Sequence, residues 1–175
     1  MKKVCSYLSI FINTMDAIAR NFGAVVTNVR SYNDTVIFFF PKTSKPTSDK
    51  TPFKDVLKCG LAMQAAHDDM NKKYHEEGLD PIINYRISAD YGEIEVGAKS
   101  KDPSIIDVFG PTLFMCLKIY KLAPPNRMVI GKNLYDMIND SFEENYRFTK
   151  IHEYPPDKNE HSQDPYPIYL ISRNG

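Results

Sequence analysis

Apolar residues recur at three- and four-residue spacings along the first 22 residues of the chain. The repeating positions, which would form one apolar face of a helix, are Val4, Tyr7, Leu8, Phe11, Ile12, Met15, Ile18, Ala19 and Phe22. Gly23 follows at the position where helices commonly end. The same spacing returns from about Phe53 to Tyr74 and stops near Gly78. The pattern therefore predicts two long amphipathic helices.

Between and after these helices the pattern changes to the two-residue alternation of β-strands. Residues 24–40 contain two β-branched and aromatic runs around the turn-forming sequence SYND, which predicts a hairpin. Residues 83–90 alternate cleanly between apolar and polar side chains and predict another strand. Further strands are predicted at EIEVG, IIDVF, NRMVIG, YRFTKI and PIYLIS, with a helix from Pro111 to about Leu122 and a short helix at KNLYDMIND.

The predicted order of elements determines the expected fold class. Hairpins that alternate with helices favour an α+β fold with a ferredoxin-like centre, in which helices pack on one face of an antiparallel sheet. The length of 175 residues suits one domain with a sizeable core. We therefore expect a single domain over residues 1–175.

Composition and charge narrow the possible classes of protein. The formal net charge is zero at pH 7, so no overall field attracts nucleic acid or an anionic membrane. Cys5, Cys59 and Cys116 lie far apart and match no zinc pattern, which indicates reduced thiols in a cytoplasmic protein. No stretch approaches the roughly 20 apolar residues of a membrane span. We expect neither nucleic acid nor a membrane as a partner.

An acid and the helix that follows it are the most unusual local feature of the sequence. Asp107 interrupts the apolar strand IIDVF, where a carboxylate should face a partner, a cavity or solvent rather than core. The next helix, TLFMCLKIYKL, is apolar nearly all round. Such a helix buries one side in the core and the other against a second chain.

The order of elements and four local phrases resemble the catalytic (cyclase homology) domain of class III adenylate and guanylate cyclases. The phrases are RSYNDTVIFFF, DVFGPT, MVIGKNLYDMI and YPIYLIS, and the resemblance covers nearly the whole chain. It implies a nucleotide site across a two-fold dimer interface. It also implies conversion of ATP or GTP to cyclic nucleotide and pyrophosphate, with two divalent metals that neutralise the phosphates.

The resemblance assigns roles to three polar residues in the first part of this site. Asp34 matches a metal-binding aspartate, so Mg²⁺ or Mn²⁺ is the implied cofactor, while Arg30 and Asp107 match two base-reading positions. The simpler alternatives are a turn residue for Asp34 and a solvated cross-strand partner for Arg30. The other metal-binding aspartate of the family lies on a strand before the first helix. We expect this domain to lack that N-terminal strand.

Two residues of the helix predicted from Pro111 to about Leu122 depart from the family pattern. Counted from Gly110, the ribose-orienting asparagine and the transition-state arginine of the family fall on Phe114 and Lys118, one helical turn apart. Phenylalanine forms no hydrogen bond through its side chain, and lysine keeps the charge but not the planar fork of arginine. The family's triphosphate-binding lysine has no clear counterpart, although Lys158 is nearby. No residue is therefore assigned as catalytic.

Three interpretations of function follow. The first is a degenerate cyclase-like signalling domain, a pseudoenzyme that binds nucleotide or dimerises without turnover of its own. The second is an active adenylate or guanylate cyclase that completes its site with a complementary or longer chain. The third is a protein-interaction domain that binds no nucleotide. The expected partner is a second copy of the chain or another cyclase-like chain, with ATP or GTP as the nucleotide.

Overall fold

The computed structural model describes residues 2–26, 35–44, 48–78, 84–98, 106–142, 146–156 and 164–173. Within these ranges the helices are α1 (Lys2–Asn21), α2 (Thr51–Glu76), α3 (Pro111–Ile119) and α4 (Lys132–Phe142). The strands are β1 (Val25–Val26), β2 (Phe38–Phe39), β3 (Ile87–Ala89), β4 (Glu95–Ala98), β5 (Ile106–Phe109), β6 (Met128–Gly131), β7 (Tyr146–Tyr154) and β8 (Tyr166–Arg173). Short 3₁₀ turns lie at Pro41–Ser44 and Tyr120–Leu122.

Backbone contacts divide the chain into two compact units. The first comprises Met1–Tyr85 with Val96–Asp107, and the second comprises Arg86–Glu95 with Val108–Gly175. Strands β4 and β5 pair with each other, and the division passes through both of them. The expectation of a single domain over residues 1–175 stays a prediction.

The first unit is built on the two long amphipathic helices. Helix α1 ends as predicted, since Gly23 has a φ of +82° and its N–H bonds to the Arg20 carbonyl at 2.9 Å. The rings of Tyr7 on α1 and Tyr74 on α2 meet edge to face with centroids 4.7 Å apart. Strands β1 and β2 pair antiparallel, as the predicted hairpin requires, while its SYND turn lies outside the described residues.

The second unit contains a four-stranded sheet in the order β3-β6-β8-β7. Strand β8 is antiparallel to both β6 and β7, whereas β3 and β6 are parallel. The expected fully antiparallel sheet is therefore corrected to a mixed one. The physical reason is connectivity, because the segment between β3 and β6 carries α3 and returns the chain in the same direction.

Helices cover both faces of this sheet, which corrects the expectation that helices lie on one face. Ile119 at the end of α3 packs with Val129 and Ile168 in a buried cluster. Tyr135 of α4 stacks on Tyr169, the residue after Ile168 and hence on the opposite face. All four residues of β6 are buried, as expected for a strand covered on both sides.

The neighbours of two strands bear on the expected loss of an N-terminal strand. In the described part of the chain, β2 pairs with β1, and β3 forms an edge of the four-stranded sheet with β6 as its neighbour. Each of these strands has one described partner. The missing strand stays a prediction.

Candidate functional site

The turn between β5 and α3 shows why DVFGPT has the sequence it has. Gly110 has a φ of +122°, and a Cβ there would lie 3.1 Å from the carbonyl oxygen of Glu93. The hydroxyl of Thr112 donates a hydrogen bond to that same oxygen at 2.8 Å. Pro111 occupies the first helical turn, where its missing N–H costs little. Glycine, proline and threonine together position the start of α3 against residues 93–95.

Helix α3 leaves much apolar surface uncovered in the second unit. The side chain of Phe114 is 71% exposed, whereas Ile119 on the same helix is fully buried. Phe109 and Ile94, which flank the Gly110 turn, are 51% and 37% exposed. We refer to Ile94, Phe109 and Phe114 as the apolar patch. Single exposed apolar residues are ordinary, whereas here three large ones lie around one turn.

Lys118 lies one helical turn beyond Phe114 and is also exposed. Its Nζ is 3.9 Å from the centroid of the Tyr154 ring at the end of β7. Ammonium groups at this distance are attracted by the negative face of an aromatic ring. The ring of Phe114 and the ammonium of Lys118 are thus both exposed on α3, at the positions where the resemblance places the ribose and phosphoryl contacts.

The other predicted site residues cannot be joined to this face. Arg30 and Asp34 lie outside the described residues. The backbone of Asp107 lies in β5, but its side chain is outside what the structure describes. Within the described ranges no group of three His, Cys, Asp or Glu side chains could hold a metal ion. The metal role of Asp34 and the base-reading roles of Arg30 and Asp107 stay predictions.

Sequence reasoning missed a polar cluster centred on Asp90, directly after β3. Asp90 Oδ1 accepts hydrogen bonds from the backbone N–H of Tyr91 at 2.9 Å and of Leu134 at 3.3 Å. Asp90 Oδ2 accepts a hydrogen bond from the Tyr166 hydroxyl, which itself accepts one from the Asn133 N–H at 3.3 Å. Asp90 after β3 and Tyr166 of β8 therefore accept hydrogen bonds from two first-turn N–H groups of α4.

The reason for this long-range cap lies in the residue before α4. Gly131 has no side chain that could cap the helix, and a Cβ there would lie only 2.6 Å from Asp90 Oδ1. A strand that runs into a helix through glycine, without a nearby Ser, Thr, Asp or Asn cap, is the signal that could have pointed to a distant capping residue. Asp90 fixes the ends of β3, β6 and β8 relative to one another.

Burial changes the acid–base behaviour of this cluster. It raises the pKa of Asp90 above its ordinary value of 3.8, against the opposing effect of the three hydrogen bonds from Tyr166, Tyr91 and Leu134. Burial and the nearby Asp90 also raise the pKa of Tyr166, and burial raises the pKa of the Cys116 thiol to about 12. Neither Tyr166 nor Cys116 titrates near neutral pH.

An Asp90→Asn substitution should therefore change how stability depends on pH. A raised folded-state pKa means that the protonated carboxyl contributes stability below about pH 4, and that this contribution is lost as pH rises through the raised pKa. The amide resembles the protonated acid and does not titrate. Between about pH 4 and pH 7, the free energy of unfolding of the variant minus that of wild type should increase. Urea unfolding at several pH values measures this difference, and a flat or falling difference would contradict the assignment.

Comparison with solved structures identifies the fold. The adenylyl cyclase CyaB from P. aeruginosa is similar at a TM-score of 0.73 and 16% identity, over 100% of this chain and 85% of that one. The guanylate cyclase domain of RhGC from Catenaria anguillulae, in complex with GTP, is similar at 0.71 and 15%, over 100% and 86%. The non-canonical dimeric guanylyl cyclase domain of RhoGC from Blastocladiella emersonii gives 0.70 and 14%, over 99% and 86%. Neither a protein-family model nor a curated protein matches the sequence.

The chain therefore has the fold of the catalytic domain of class III adenylyl and guanylyl cyclases, as the sequence resemblance predicted. The similarity extends over essentially the whole chain at low identity. It therefore establishes the architecture, whereas any chemical activity must be argued from the residues of this chain. Among the described residues, no helix is both long and apolar enough to cross a bilayer.

Proposed function

We propose that this chain is a cyclase-like cytoplasmic signalling domain that binds a nucleoside triphosphate, ATP or GTP, without converting it to product by itself. The observation that carries the proposal is the exposed face of α3. There Phe114 stands where the resemblance places a ribose-orienting asparagine, and Lys118 provides a cation where it places an arginine. The solved structures of similar fold, one of them in complex with GTP, support a nucleotide as the ligand class.

The chemistry of these two residues supports binding more than turnover. A lysine ammonium attracts phosphate oxygens as a point charge, but it lacks the bidentate geometry that matches a phosphoryl group. Phe114 offers no hydrogen bond to a ribose hydroxyl. Losing one preorganised electrostatic group commonly costs on the order of 100- to 1000-fold in rate. In the same proposal, Arg30 and Asp107 read the base, and Asp34 holds Mg²⁺ or Mn²⁺.

A fluorescence titration with mant-ATP and mant-GTP in the presence of Mn²⁺ tests whether the chain binds nucleotide. Lys118→Ala should weaken affinity by about tenfold, because a charge-assisted contact to phosphate is lost. Lys121→Ala, which removes an exposed lysine three residues further on, is the matched control and should change affinity less than twofold. Equal loss in both variants would mean nonspecific charge attraction. Absence of binding by the wild-type chain would favour a protein-interaction domain instead.

Dimer formation through the apolar patch is the second part of the proposal. Ile94, Phe109 and Phe114 are large, exposed and clustered around the Gly110 turn. A domain of the same fold occurs as a dimer in the RhoGC structure. The partner would be a second copy of this chain or another cyclase-like chain.

Phe114→Glu should weaken the self-association of the purified chain at least tenfold, because a charge replaces an apolar contact in the covered surface. Sedimentation equilibrium measures the dimer constant. Leu8→Glu, at a residue on α1 that is 45% exposed, is the control and should leave the constant unchanged. If the Phe114→Glu variant dimerised with the same constant as the wild-type chain, the proposed interface would be disproved. If the wild-type chain were monomeric, self-association would be disproved, and another cyclase-like chain would be the only partner left in the proposal.

A further inference from the structure

Three side chains from two elements meet beside the exposed face of α3. The Tyr154 ring lies under Lys118 Nζ, with 3.9 Å from the ammonium nitrogen to the ring centroid. The His152 ring contacts the same tyrosine edge to face, with centroids 4.6 Å apart and planes at 78°. Among the described residues no carboxylate forms an ion pair with Lys118. The tyrosine is therefore the described contact of this cation.

Tyr154 is more buried than the lysine above it. It is half-buried and packs against the cluster of Ile119, Ala123, Val129 and Ile168. In the sheet it pairs with Tyr166, whose hydroxyl is bonded to Asp90. Packing thus constrains the ring at the end of β7, whereas an exposed lysine side chain without such a contact has four rotatable bonds to order.

We infer that Tyr154 is a positioning residue that holds the Lys118 ammonium in place for the phosphate chain of a bound nucleotide. The inference rests on the proposed nucleotide-binding function and adds a residue that the resemblance does not supply. An ammonium has three N–H donors, so a ring on one side leaves donors free for phosphate oxygens. Restricting the lysine before binding reduces the conformational entropy lost when the anion binds. The ring thereby compensates in part for the absence of a rigid guanidinium.

Inorganic tripolyphosphate, which has the charge of the phosphate chain without base or ribose, is the appropriate probe. Its affinity is measured by displacement of mant-ATP from the full chain. Tyr154→Leu should weaken the binding of tripolyphosphate about fivefold, the size expected for a cation–π contact. Tyr154→Phe keeps the ring face and should stay within about twofold of wild type. Tyr135→Leu, which removes an aromatic residue on the other face of the sheet, should leave affinity unchanged.

A double-mutant cycle separates positioning from a general structural effect. If Tyr154 acts through Lys118, Tyr154→Leu should cause no further loss in a Lys118→Ala background. An equal loss in both backgrounds, or wild-type affinity in the Tyr154→Leu chain, would overturn the inference and leave nucleotide binding intact. Failure of the wild-type chain to bind mant-ATP would instead overturn the proposed function, and this inference with it.

Discussion

A Gly131→Ala substitution is expected to lower the free energy of unfolding by about 2–3 kcal/mol, the cost typical of forcing one extra carbon into a packed site. The new Cβ would lie 2.5 Å from Asp90 Cγ and 2.6 Å from Oδ1, closer than carbon and oxygen atoms approach without bonding. The carboxylate would have to move, and the N–H of Leu134 would then lose its acceptor. Thermal and urea unfolding followed by circular dichroism measure the loss.

Two comparisons make this expectation specific. Gly97→Ala on β4 is the matched control, because nothing lies within 4 Å of a Cβ at that position. It should change stability by less than about 0.5 kcal/mol. In an Asp90→Ala background, where the obstructing carboxylate is absent, Gly131→Ala should cost much less than in wild type. If the losses in the free energy of unfolding were fully additive in the double variant, Asp90 and Gly131 would not be coupled as the structure indicates.

The second expectation concerns turnover. The purified chain, incubated with Mg²⁺ or Mn²⁺ and either ATP or GTP, should form cyclic nucleotide no faster than a protein-free blank. Two positions to which the resemblance assigns roles in the reaction carry unsuitable side chains, since Phe114 has no hydrogen-bonding group and Lys118 has no planar fork. Each replacement alone would cost on the order of 100-fold or more, although effects within one site need not add.

An active cyclase of this fold, assayed in parallel, is the positive control for detection. Reproducible cyclic product from the wild-type chain, lost in an Asp34→Ala variant, would contradict the expectation. It would assign Asp34 the metal role and make the chain an active cyclase. Product that survives Asp34→Ala would indicate a contaminating enzyme.

The positions of most elements could be predicted from the sequence because their signals are local. The spacing of apolar residues predicted α1 and α2, and Gly23 ends α1 with the left-handed conformation expected at that position. The helix predicted over residues 111–122 is α3 followed by a 3₁₀ turn. In the DVFGPT segment, a side chain at Gly110 would crowd the Glu93 carbonyl, and Thr112 donates a hydrogen bond to that carbonyl.

Features that depend on distant contacts could not be predicted in the same way. The parallel pairing of β3 with β6 depends on the path of the intervening chain, which no local pattern records. The alternating pattern placed Asp90 at the end of a predicted strand, yet its carboxylate accepts a hydrogen bond from the N–H of Leu134, 44 residues later, in the first turn of α4. The contact between Lys118 and Tyr154 joins residues 36 positions apart, and nothing near either one in the sequence indicates it. The roles of Arg30, Asp34 and Asp107 remain predictions from the resemblance.

Equilibrium dialysis with radiolabelled ATP or GTP tests most directly whether this chain binds nucleotide without turning it over. The chain is placed in one chamber with Mn²⁺. After equilibration, the label in each chamber is counted and identified by chromatography. The proposed function predicts an excess of label on the protein side, weakened by Lys118→Ala, with every bound molecule recovered as intact triphosphate. Equal label in the two chambers would contradict binding, and cyclic nucleotide above the protein-free blank would contradict the absence of turnover.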